Sequence, residues 1–195
     1  MTNEPATAPP LRGVALLERA TNYALGALAL VTPELTRRPT PCAGWSVATL
    51  LAHLDDSLAA LRDAVDLGAV KLDPTRTDLG SRPAATVRDH AGAVLGAWVN
   101  AEGPRVATIG GCPLATGLVA AAGALELAVH GWDLAVACGD TRPIPSGLAA
   151  ELLELAPLLV TSADRPTRFA RPVVVAGLAT PGDRLVAFLG RRPLT

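Results

Sequence analysis

The sequence predicts an all-α protein, a helical bundle followed by a short C-terminal extension. Three observations predict it. Half of the residues are hydrophobic but only 3% are aromatic, so the core must be built from Ala, Leu and Val. Ala and Leu are strong helix formers, and β-branched runs of strand length are scarce. Apolar residues recur at helical spacing along four long stretches, separated by segments rich in Pro and Gly.

Residues 1–10 read as a disordered, Pro-containing tail. Val14, Leu16, Leu17, Ala20, Ala24, Leu25, Leu28 and Leu30 then mark a helix over 11–31, stopped by Pro33. Pro39, Pro41 and Gly44 make the next segment a loop, and Ser46 is a natural N-cap for a second helix to about Leu67. In that helix Val47, Leu50, Leu51, Leu54, Leu58 and Leu61 line one stripe. Residues 68–84 read as a connector, and Thr86 as the cap of a third helix over 87–101. Residues 102–116 read as irregular. A fourth helix runs over 117–138 and ends at Gly139-Asp140; Ser146 caps a fifth over 147–160. Beyond it, Arg171–Val175 reads as a short extended piece and 181–191 as a terminal helix.

The fourth helix is almost wholly apolar, yet carries Glu126, His130 and Asp133 at i, i+4 and i+7. At about 100° per residue these share one face, within about 60° of arc. A carboxylate on an apolar face is costly to ionise unless a cation meets it. Imidazole supplies part of that cation, and a divalent metal supplies it fully. The same spacing also suits a plain Glu–His hydrogen bond, or a face turned to solvent. His53, at the edge of the leucine stripe, is either a surface histidine beside Asp55 and Asp56 or a residue leaning into a cleft. With Glu126 and His130 it would complete a two-His, one-carboxylate set, which leaves a position open and suits zinc best, nickel or iron next. Asp133 is either a hydrogen-bond partner that orients His130 or a salt-bridge or capping carboxylate. His90 reads as a surface histidine. Cys42 lies before a helix N-terminus, where the dipole lowers a thiol pKa; with no second residue to support a nucleophile it reads as structural.

Composition excludes several classes. The net charge is −1, with charged residues at 18%, so no basic stripe exists to neutralise phosphates and nucleic-acid binding is not expected. The three cysteines are far apart and form no C-x-x-C pair. The N-terminus has no basic and apolar regions of a signal peptide. The longest uninterrupted apolar stretch, about a dozen residues, is short for a bilayer. A reduced, cytoplasmic, soluble protein, monomer or homodimer, is expected. No G-x-S-x-G, P-loop or dinucleotide fingerprint is in context.

Two stretches carry a resemblance: Thr40-Pro41-Cys42-Ala43-Gly44-Trp45-Ser46 through His53-Leu54, and Glu126-Leu127-Ala128-Val129-His130-Gly131-Trp132-Asp133. Both resemble signatures of the mycothiol-dependent maleylpyruvate isomerase family, an actinobacterial group within the DinB/YfiT-like metalloprotein superfamily. Pro181-Gly182-Asp183-Arg184 through Arg192-Pro193 is similar to the ending of a metal-binding branch of that group. The resemblance implies an up-down-down-up four-helix bundle over 11–165, with 166–195 packed on it as a short extension. It implies a divalent metal held by His53, Glu126 and His130, with mycothiol as cosubstrate acting on a small electrophile, as an isomerase or S-transferase. The extension is short beside the separate C-terminal domain of the isomerase. The alternatives are a non-catalytic metal- or small-ligand-binding helical protein, and a metal-free dimerisation or regulatory module.

Overall fold

The computed structural model describes residues 9–70, 78–102 and 106–194. In chain order these form α1 (Pro9–Leu28), α2 (Val47–Asp66), β1 (Ala69–Val70), α3 (Pro83–Val99), β2 (Val106–Ile109), β3 (Cys112–Ala115), α4 (Thr116–Ala137), α5 (Ser146–Leu159) and α6 (Pro181–Phe188). Single 3-10 turns cover Pro33–Leu35 and Ser162–Asp164. The chain is mostly helical but not all-α. β2 and β3 form an antiparallel hairpin, and β1 pairs in parallel with β2. The hairpin occupies residues expected to be irregular. Gly110 and Gly111 at its turn have φ of +55° and +85°, the left-handed pair that a two-residue hairpin turn needs. Of the tail expected over 1–10, residues 1–8 lie outside the described residues, and Pro9 already opens α1.

Other boundaries also move. α1 stops at Leu28, short of Pro33. α3 starts at Pro83, a favoured first-turn residue, so Thr86 is inside the helix and not its cap; its hydroxyl donates to Leu79 O at 3.1 Å. Ser46 does cap α2, its hydroxyl accepting from Thr49 N at 3.2 Å. Ser146 is the first residue of α5 and makes no side-chain cap. α4 ends in a Schellman pair at Gly139: Asp140 N donates to Ala135 O and Gly139 N to Val136 O, both at 2.9 Å. Arg171–Val175 forms no strand; Val173 N donates to Ala187 O. α6 ends at Phe188, before Arg191.

α4 is the central element. Its window of highest hydropathy is 83% buried in the fold, although at 22 residues the helix is long and apolar enough to cross a membrane. The sequence reading of that run as too short thus stopped early, at Glu126. Contacts set the helix directions. On α1, Gly13 faces Gly117, and Tyr23 with Ala24 faces Gly131, so α1 and α4 run parallel. Leu61 meets Gly123 and His53 meets Glu126, so α2 runs antiparallel to α4. Asp55 meets His90, and Leu61 O accepts from Trp98 Nε1 at 3.1 Å, so α2 and α3 run parallel. α3 also packs on α1, closing the four around one core. That core holds Leu16, Leu17, Leu50, Leu51, Leu54, Leu58, Leu127 and Leu134, each at or below 1% exposure. Each such leucine contributes about 1.5–3 kcal/mol. α5 packs on α4, and α6 packs on α5, which returns the chain after Phe188 to the C-terminal half of α4.

Candidate metal centre

The leucine stripe of α2 faces the core and leaves His53 at its edge, half-buried, opposite α4. There Glu126 Oε2 lies 3.3 Å from His53 Nε2 and 3.2 Å from His130 Nε2. One donor atom from each of the three residues falls within 4.8 Å of the others. The fold therefore brings His53, Glu126 and His130 together across an antiparallel helix pair. Two imidazoles and one carboxylate are the donor chemistry of a divalent-cation site with a position left for a further ligand.

Asp133 is fully buried and lies behind His130, with Oδ2 2.9 Å from His130 Nδ1. It makes both kinds of contact that the sequence left open, a hydrogen bond to His130 and a salt bridge. The same Oδ2 also receives Arg191 Nη2 at 2.9 Å, and Oδ1 lies 3.3 Å from Arg191 Nε. Arg191 Nη1 donates to Leu189 O at 3.0 Å. Arg191 is 6% exposed and is one of the residues that the sequence did not single out. Its only sequence signal was a polar Gly-Arg-Arg-Pro run after an apolar helix.

The electrostatics follow this chain of contacts. Burial works to raise the Glu126 carboxyl, but hydrogen bonds from His130 and His53 outweigh it and hold the group well below the usual carboxylate range. Burial likewise opposes ionisation of Asp133, and the His130 hydrogen bond and Arg191 charge reverse it, leaving the carboxyl low. His130 is disfavoured as a cation by burial, yet hydrogen bonds to Asp133 and Glu126 push it up to about 9. Without a cation at the site, the two carboxylates thus favour the protonated form of His130 between them. A divalent cation bound beside Glu126 would replace the Nε2 proton, and His130 would keep its Nδ1 proton, donated to Asp133. The residues fit the group.

A cleft of about 420 Å³ opens on this set. Its near wall is Cys42, Trp45, His53, Ala122, Leu125, Glu126 and His130. Its far wall comes from Leu159, Val160, Asp164, Thr167, Arg168, Phe169 and Arg191, none of them singled out by the sequence reading. Cys42 is half-buried, and burial pushes its thiol up against the pull of Arg191, contrary to the lowering expected from the helix dipole. His90 is not brought to the set. It is half-exposed on α3, with Nδ1 2.5 Å from Asp55, which is buried and not part of the surface around His53.

Residues 17–135 match the family model described as the mycothiol maleylpyruvate isomerase N-terminal domain. No curated protein and no solved structure gives a significant match to the chain.

Proposed function

Because this chain belongs to the mycothiol maleylpyruvate isomerase N-terminal domain family, we propose that it is a divalent-metal-dependent enzyme in which mycothiol attacks a small electrophile. The reaction is an isomerisation or an S-transfer. The observation that carries this reading is the convergence of His53, Glu126 and His130 at the floor of the cleft, with Asp133 and Arg191 behind His130. The parallel pairs α1/α4 and α2/α3 support an up-down-down-up, DinB-like arrangement. Cys42, Cys112 and Cys138, all free thiols, support a reducing, cytoplasmic setting.

When bound, a divalent cation supplies Lewis acidity that favours the thiolate, the nucleophilic form of a thiol. We assign His53, Glu126 and His130 to hold it, with zinc the best match to their donor chemistry. Asp133 fixes the His130 tautomer, and Arg191 keeps the buried Asp133 carboxyl ionised. Ala122, Leu125, Leu159, Val160 and Phe169 give the cleft an apolar lining for a carbon skeleton. Sulfur adds to the electrophilic carbon to form a C–S bond. A transferase releases that adduct after a proton reaches the neighbouring carbon. An isomerase breaks the same C–S bond after rotation and returns the thiol unchanged.

Untagged protein should carry about one equivalent of metal per chain, the load of a single three-ligand site. Mycothiol titrated into the cobalt-substituted protein should raise a new near-ultraviolet absorption band, and His130→Ala should abolish it. No band, with thermal stability unchanged at saturating thiol, overturns the thiol reading. A band without turnover of any electrophile leaves a non-catalytic thiol-binding protein.

A further inference from the structure

His53 and His130 are held in different ways. Both ring nitrogens of His130 are committed, Nε2 to Glu126 and Nδ1 to Asp133. His53 meets Glu126 through Nε2, and among the described residues its Nδ1 has no hydrogen-bond partner. Histidines that bind metals nearly always have such a partner, because it fixes the ring. The ring torsion of histidine is broad when nothing else constrains it. His53 is also 36% exposed, against 9% for His130, so packing alone holds it less.

A second close contact is the indole of Trp45. The rings of Trp45 and His53 lie 4.8 Å apart at 63°, an edge-on contact. The same indole stacks on His130 at 6.0 Å and 20°, and the two imidazoles meet at 4.9 Å and 82°. These three rings form one aromatic cluster spanning two helices. The loop carrying Trp45 is tied around that residue. Its N donates to Cys42 O at 3.0 Å, and its carbonyl accepts from Thr40 N at 2.9 Å and from the Thr40 hydroxyl at 3.1 Å. An isolated bridge joins Pro39 to Ser46, and Ser46 then caps α2. The indole is therefore fixed relative to the first turns of the helix that carries His53.

We propose that Trp45 is a positioning residue for the metal set, its ring constraining His53 as the Asp133 carboxylate constrains His130. Its face, stacked on His130, couples the two imidazoles so that their Nε2 atoms stay converged on Glu126. The inference rests on His53 and His130 being metal ligands.

The test uses the untagged full chain and Co2+ in competition with a chromogenic chelator. Trp45→Leu should weaken cobalt binding about 10- to 100-fold, the usual loss when the support of a ligand is removed. Its visible cobalt bands should shift or broaden, while the melting temperature of the metal-free protein stays near that of wild type. Trp45→Phe keeps an aromatic ring at this position and should hold affinity within about threefold of wild type, since only the support and not a ligand is altered. Unchanged affinity and spectrum in Trp45→Leu overturns the proposal. If Trp45→Leu does not fold, quenching of tryptophan fluorescence by Co2+ decides the matter. Trp45→Phe should bind cobalt yet lose most of the wild-type quench, and a full quench from Trp98 and Trp132 alone overturns it. Wild type that takes up no cobalt overturns the metal reading itself, an outcome distinct from either of these.

Discussion

Arg191 and Asp133 form a buried, two-point ion pair between the chain after α6 and the last turns of α4, at 2.9 and 3.3 Å. Asp133 is fully buried and accepts from His130 through the same oxygen that meets Arg191 Nη2. Three residues from two distant parts of the sequence are thereby made one electrostatic unit. Its far end is a nitrogen of the candidate metal set.

Removing one member of such a pair leaves the other charge buried and alone. Arg191→Met should destabilise the protein by about 3–5 kcal/mol. Adding Asp133→Asn to that variant should recover part of the loss, because the stranded carboxylate is gone. Denaturant unfolding of the metal-free proteins measures both. Equal stability of wild type and Arg191→Met would show that the pair carries no such coupling.

His53→Ala and His130→Ala should each lose bound metal while keeping the fold, since the leucines carry most of the helix burial. His90→Ala should keep wild-type metal content and cost about 1–3 kcal/mol, because it removes the partner of buried Asp55. Elemental analysis with circular dichroism separates the cases. Metal loss in His90→Ala with none in His53→Ala would place the site around the wrong histidine.

Close approach of α1 to α4 depends on glycine. A Cβ at Gly13 would fall on the Gly117 carbonyl, a backbone atom that cannot swing aside. Gly13→Ala should therefore destabilise by about 1–3 kcal/mol. At Gly92 and Gly96 on α3 a Cβ meets nothing within 4 Å, so alanine there should stabilise by about 0.5–1 kcal/mol. Thermal melts of the three variants test the contrast in sign.

Burial pushes the Tyr23 phenol up to about 12 from its ordinary 10.0, with Arg142 only partly opposing it. The phenol donates to Arg142 O at 3.0 Å. A raised folded-state value means stability is fully present below pH 10 and is lost as pH rises toward 12. The loss should be on the order of 2–3 kcal/mol, and Tyr23→Phe should remove most of that slope. Urea midpoints measured from pH 9 to pH 11.5 would reveal it, the range following from that shift; parallel slopes in both proteins would contradict it.

Much of the fold and half of the site were legible as periodicity. Glu126, His130 and Asp133 share a helix, so their spacing alone placed them on one face. Ser46 announced its helix because capping is local chemistry. His53 was ambiguous because its angle from the leucine stripe suits both a cleft and a surface, and only α4 opposite decides between them. Asp55 looked exposed for the same reason until α3 covered it. The hairpin was hidden because its strands are four residues each and one carries Pro113. Arg191 was illegible because its partner lies 58 residues earlier, and no local pattern encodes that distance.

The separation of Asp133 from Arg191 also sets an order in time. A chain synthesised from its N-terminus completes α4, with His130 beside Asp133, well before the guanidinium of Arg191 exists. In that interval Asp133 has His130 as its one partner on α4, and burying the rest of that carboxylate without Arg191 is costly. The helices around α1, α2 and α3 can collapse first, but the His130 end of the site is finished only when the returning tail delivers its guanidinium. Completion of the His130 end of the site is thus tied to the C-terminal segment that carries Arg191.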